Sequence, residues 1–142
     1  MSDDIAPRLA AYLAKKLGVS AVDVDGLARI SGGASRETYR FSARYYREGR
    51  AHDRALILRR DPPASLIDTE RSAEFRAYQA FHKLGLPVPE PVVLELGAEA
   101  LDRPFFIMEE IRDCSVASVI APDPYGAHAP KIGHQFFSIL GR

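Results

Sequence analysis

The sequence predicts an α+β fold, a five-stranded antiparallel sheet with one long helix, plus a helix near each end of the chain. Three observations point there. Leucines recur every four residues near the N-terminus. Apolar and polar residues alternate after residue 36. One long helical stretch separates a third strand from a fourth. A chain of 142 residues can bury roughly 70% of its unfolded surface, so one substantial core is expected.

Residues 5–17 read as a helix because Leu9, Leu13 and Leu17 share a stripe beside Tyr12, and Gly18 stands where a helix stops. Residues 27–31 read as a short strand before Gly32 and Gly33. In residues 36–46, Tyr39, Phe41, Ala43 and Tyr45 alternate with Thr38, Arg40, Ser42 and Arg44, the pattern of a half-buried strand. Glu48-Gly49-Arg50 is a polar turn, so residues 55–60 should return as the second arm of a hairpin, ended by Asp61-Pro62-Pro63. Asp68 is placed to cap a helix over residues 69–84, with Ala77, Phe81 and Leu84 as its apolar stripe, flanked by Phe75 and Tyr78, and Gly85 and Pro87 as its stop. The prolines at 87, 89 and 91 demand extended chain. Residues 92–96 and 104–111 read as two more strands joined by a turn. Residues 121–130 read as a linker and residues 131–140 as a last helix.

Lys plus Arg and Asp plus Glu both number 19, and this neutrality argues against nucleic acid or an anionic membrane as the main partner. The one cysteine, Cys114, excludes an intramolecular disulfide and fits a reducing compartment. The acidic start, Met1-Ser2-Asp3-Asp4, is unlike a signal peptide, and no apolar run approaches the ~20 residues that span a bilayer. The expected setting is soluble and cytoplasmic.

Several residues could carry chemistry. The turn of Ser31, Gly32, Gly33, Ala34 and Ser35 could bring backbone N–H groups and a hydroxyl to phosphate oxygens; a plain hairpin turn would read the same way. It has neither Walker A nor dinucleotide-fingerprint spacing. Arg59 and Arg60 end a strand, and Glu74 on the next helix is a candidate partner. Ile57 and Arg59 share one face, Leu58 and Arg60 the other, so only one arginine can face a nucleotide. Two solvated surface arginines are the plain alternative. Glu109 and Glu110 are neighbours on a strand and cannot form a carboxylate dyad. His52, His82, His128 and His134 show no metal-ligand spacing.

In order and residues, the chain resembles the aminoglycoside phosphotransferase family, whose fold is protein-kinase-like. The stretches that carry the likeness are ISGGASRETYRF at residues 30–41, LRRDPP at 58–63, residues 70–81, and GLPVPEP at 85–91. It is most similar to the branch related to kinase-like domains found with acyl-CoA dehydrogenases, and the resemblance covers about residues 25–140. It implies an N-terminal kinase lobe over residues 1–112, followed in 113–142 by a linker and the first helix of an incomplete C-terminal lobe. By the same resemblance, Ser31, Gly32, Gly33 and Ser35 lie over the phosphates of ATP. Arg59 takes the place of the usual strand-borne lysine and Glu74 that of its ion-pair partner. Met108, Glu109, Glu110 and Ile111 form the hinge that meets adenine through its backbone. Asp113 stands where relatives often have glycine.

The family's His-Gly-Asp loop and magnesium-binding aspartate, which phosphoryl transfer needs, do not occur in these 142 residues. The expectation is therefore part of a small-molecule kinase: a fragment, a truncated gene product or a split subunit. Nucleotide is its expected partner, with magnesium and a small-molecule acceptor only in a complete enzyme. The rival is a non-catalytic nucleotide-binding or protein-interaction module on the same scaffold. Ile132, Phe136, Ile139 and Leu140 share a helix face with Phe137 at its edge. That face should meet a second copy of the chain or the missing part of the C-terminal lobe, or else fold back across the 122–130 linker onto the chain's own sheet.

Overall fold

The computed structural model of the chain describes residues 4–30, 37–61, 69–113, 120 and 122–141. The turn at 31–35, Pro62, Pro63, the Asp68 cap and Cys114 lie outside the described residues. The chain divides into two compact units, residues 1–110 and 111–142.

The larger unit contains α1 (Ile5–Leu17), β1 (Val22–Ile30), β2 (Glu37–Arg47), β3 (Arg50–Arg60), α2 (Thr69–Lys83), β4 (Pro91–Glu95) and β5 (Phe105–Glu109). The five strands form one antiparallel sheet in the order β1-β2-β3-β5-β4. β2 and β3 pair without slippage from Glu37↔Arg60 to Arg47↔Arg50. Their turn residues, Glu48 and Gly49, have φ of 53° and 75°, the two positive angles that a type I′ hairpin requires. β1 begins at Val22, five residues before the strand expected from the sequence. Asp23 and Asp25 interrupt its apolar pattern, but both are neutralised by Arg44 of β2, at 2.8 and 3.1 Å. A bulge follows at Gly26, whose φ of 64° suits glycine.

The sheet is covered on both faces. On one face, Ile5, Leu9 and Leu13 of α1 pack with the inward residues Tyr39, Phe41, Ala43 and Tyr45 of β2, Leu56 and Leu58 of β3, and Phe105 and Ile107 of β5. The Tyr12 ring meets Phe105 edge-on at 5.0 Å. Arg8 of α1 donates to both oxygens of Asp102, at 2.6 and 2.7 Å, and to the Ala100 carbonyl. These bonds hold the turn that buries Leu101 completely.

On the other face, α2 packs on Phe106 through Phe75 and Tyr78, with ring centroids 6.0 and 6.4 Å apart. The packing falls on the flank of the expected stripe, and its centre, Ala77, Phe81 and Leu84, is exposed. The reason is ionic. Arg71, at 2% exposure, pairs with the buried Asp61, and Glu74 pairs with Arg59. The buried Arg71–Asp61 pair turns α2 about 100° from the orientation that the Ala77, Phe81 and Leu84 stripe alone suggests, and Glu74 comes to Arg59 with it. The helix ends as expected: Gly85 has φ of 70°, its N–H donates to the His82 carbonyl, and that of Leu86 to Phe81.

In the smaller unit, a short 3₁₀ turn (Gly126–His128) leads into α3 (Ala129–Leu140). The helix starts before the residue expected, because Pro130 sits in its first turn, where a missing N–H costs nothing. Phe136, Phe137 and Leu140 are exposed, the two rings edge-to-face at 5.5 Å. Among the described residues no helix is long and apolar enough to cross a membrane.

Two predictions follow from this packing. Phe75→Ala should cost about 3 kcal/mol of stability, whereas Phe81→Ala should cost under about 1 kcal/mol, both read by urea denaturation. The second concerns acid. Burial pushes the Glu37 carboxyl up, but the hydrogen bond and charge of Arg60, with the charges of Arg103 and Arg29, hold it below the ordinary value. The Gly97 N–H and the Tyr12 hydroxyl lower Glu95, and Arg8 lowers Asp102. A carboxyl lowered in the folded state binds fewer protons there than in the unfolded chain. The stability it contributes is complete above pH ~4.5 and is lost as pH falls through the folded value. The urea midpoint should therefore drop between pH 5 and pH 3, and drop less steeply in Glu37→Gln.

Candidate functional site

β3 ends in Leu58-Arg59-Arg60, and the alternation of a strand sends the two arginines to opposite faces. Arg60 points into the α1 side and is 7% exposed. It donates to Glu37 Oε2 at 2.6 and 2.9 Å and to the Leu101 carbonyl at 3.3 Å, and its guanidinium lies 5.9 Å from the Tyr39 ring centre. Arg103 approaches the same Glu37 oxygen at 3.3 Å. Arg60 is thus an internal strut.

Arg59 points to the α2 side and forms an ion pair with Glu74, fifteen residues on. Its guanidinium lies 5.4 Å from the centre of the Phe106 ring. Both members of the pair keep about a quarter of their side-chain surface exposed, 25% and 26%. The pair is therefore held in place and still open to a ligand. A guanidinium carries five N–H donors and a carboxylate facing it in bidentate fashion takes two of them, so the geometry leaves donors for a second anion.

Ile57 lies on the same face as Arg59, and the pairings Ile57↔Met108 and Arg59↔Phe106 put Met108 and Phe106 there too. This face places the buried Ile57 and the half-buried Met108 one strand period from a fixed positive charge, an apolar patch beside it. The described residues on either side of 31–36 lie close by: Ile30 pairs with Thr38, and Thr38 with Arg59. Ser31, Gly32, Gly33 and Ser35 themselves lie outside the described residues.

The other end of the patch is the exit of β5. Met108 is half-buried and Glu109 exposed. The Glu109 N–H donates to the Glu90 carbonyl, and that of Glu110 to the Ala55 carbonyl, both at 2.9 Å. Ile111 is the first residue of the smaller unit, 49% exposed. Of the residues expected to form a site, Arg59 and Glu74 are brought into contact, and Met108 shares their face. Arg60 is excluded from it.

Sequence reasoning missed the buried pair Arg71–Asp61, which anchors α2 below Glu74. Asp61 is tied down further by its N–H to the Pro104 carbonyl at 3.1 Å and by Arg103 donating to its own carbonyl at 2.8 Å. One signal was present: Arg71 falls on the helical stripe of Glu74, Phe75 and Tyr78.

Two open clefts of about 570 and 650 Å³ lie elsewhere, one beside the β2–β3 turn at Tyr46 and His52, the other between α1 and Glu95 to Ala100. Neither includes Arg59 or Glu74. Among the described residues no group of three or more His, Cys, Asp or Glu side chains is arranged to hold a metal ion.

No curated protein matches the chain. The family model of the phosphotransferase enzyme family (APH) matches residues 26–142, which spans the glycine turn, the Arg59–Glu74 pair and the β5 exit; the chain belongs to that family.

Proposed function

We propose that this chain supplies the nucleotide-gripping part of an ATP-dependent kinase that moves the γ-phosphate to a hydroxyl of a small molecule. The observation that carries this reading is the half-open Arg59–Glu74 pair on the face that also holds Ile57 and Met108. Arg59 stays charged at every working pH and can meet phosphate oxygens in bidentate fashion. Glu74 holds it in one rotamer, so less side-chain entropy is lost when the nucleotide arrives. The adenine ring lies over Ile57 and Met108, and its edge meets the backbone of Met108, Glu109, Glu110 and Ile111. Ser31, Gly32, Gly33 and Ser35 close over the phosphates. In this reading residues 1–112 form the nucleotide-binding lobe, and 113–142 begin a second lobe in whose core the apolar residues of α3 take part.

Transfer also needs a base for the acceptor hydroxyl and a metal ion to share the phosphate charge. Neither a His-Gly-Asp loop nor a metal cluster among the described residues supplies these here.

Two experiments test this. Arg59→Ala should weaken ATP binding by about tenfold while leaving the urea midpoint near wild type. Arg60→Ala should cost roughly 3 kcal/mol of stability, because it strips Glu37 of its main partner. ATP affinity unchanged in Arg59→Ala would refute the assignment. The 142-residue chain alone, given ATP, magnesium and a panel of aminoglycosides, choline and hydroxyacyl compounds, should show no turnover above background. Turnover that copurifies with the chain and disappears in Arg59→Ala would overturn that expectation.

A further inference from the structure

At the exit of β5 the pairing departs from a regular antiparallel ladder. The Glu109 N–H donates to the Glu90 carbonyl at 2.9 Å. In a regular hydrogen-bonded pair the two residues exchange both bonds, so the Glu90 N–H would return to the Glu109 carbonyl. It donates instead to the Glu109 side chain, at Oε2, 3.2 Å away. The rest of the corner is fixed independently. Arg54 of β3 holds the Glu90 carboxylate at 2.5 Å, and the Glu110 N–H bonds the Ala55 carbonyl. The strand end is therefore immobilised, while a side-chain oxygen does what the backbone carbonyl of Glu109 would otherwise do.

We propose that Glu109 is a positioning residue whose carboxylate reserves its own backbone carbonyl for the nucleobase, so that the site prefers a 6-aminopurine to a 6-oxopurine. This rests on the reading of the β5 exit as the edge that meets the base. A carbonyl only accepts hydrogen bonds. An exocyclic amino group donates to it, whereas a 6-oxo group brings a second acceptor to the same place and leaves both unsatisfied. Were the Glu90 N–H to bond the Glu109 carbonyl, it would engage one of the two lone pairs and turn the peptide toward Glu90. The loss of discrimination should then be partial.

The test compares ATP with inosine triphosphate, which differs at purine position 6, by amide-shift titration of the ¹⁵N-labelled chain. Wild type should prefer ATP by about tenfold. Glu109→Leu should narrow the preference to about threefold or less. Glu109→Gln, whose side-chain carbonyl still accepts from Glu90, should keep it. Glu109→Ala removes the acceptor without adding bulk and gives the same reading should the leucine variant not fold. A merely structural role would weaken both triphosphates together and leave their ratio unchanged. That result overturns the inference, as does a wild type that binds both equally or a Glu109→Gln that behaves like Glu109→Leu. Wild type that binds neither triphosphate overturns the nucleotide reading and this inference with it.

Discussion

In an extended strand consecutive side chains leave on opposite faces, and β3 ends in two arginines. Each needs a carboxylate, and the carboxylates come from different places. Glu37 at the start of β2 takes Arg60 on the α1 side; Glu74 of α2 takes Arg59 on the other. Had the register of β3 against β2 slipped by one residue, the two arginines would exchange faces, Arg59 turning into the α1 core and Arg60 toward α2. The uninterrupted pairing from the β2–β3 turn to Glu37↔Arg60 fixes that register. The site therefore depends on a hairpin turn at the far end of the same two strands.

The two faces of the sheet carry different loads. The α1 side is a closed core in which Leu9, Leu13, Leu58 and Phe105 are wholly excluded from water. The α2 side is thinner and partly ionic, with Arg71–Asp61 beneath and Arg59–Glu74 at the rim. Burying one ion pair and leaving the next half open divides the work of the helix. Arg71 sets where α2 sits, and Glu74 can then present a carboxylate without also having to anchor the element.

Much of this was legible in the chain. The alternation of Tyr39, Phe41, Ala43 and Tyr45 named the inward face of β2, and all four are buried. The placing of Arg59 at a strand end and Glu74 on the next helix anticipated their contact. What was illegible has a common physical cause. A hydrophobicity pattern treats a charge as a sign of water, so Arg71 was passed over and Phe81 preferred when α2 was oriented. Asp23 and Asp25 likewise hid the first half of β1. In each case the charge is neutralised by a residue outside its own element, Asp61 for Arg71 and Arg44 for the two aspartates. No single helix or strand contains both partners. The same holds for Glu90 and Glu109, nineteen residues apart and joined through a side chain where backbone pairing would be the default.

The strand order leaves β1 and β4 at the two margins of the sheet. An open margin is a row of backbone donors and acceptors on which a stray strand can assemble, and an open-margined sheet is prone to aggregate unless something prevents it. The bulge at Gly26 breaks the line of β1, and Asp23 and Asp25 add charge beside it. β4 opens with Pro91, which has no N–H to offer, and its own irregularity falls at that residue. The details that hid the first half of β1 in the sequence are among those that keep the sheet from growing into its neighbours.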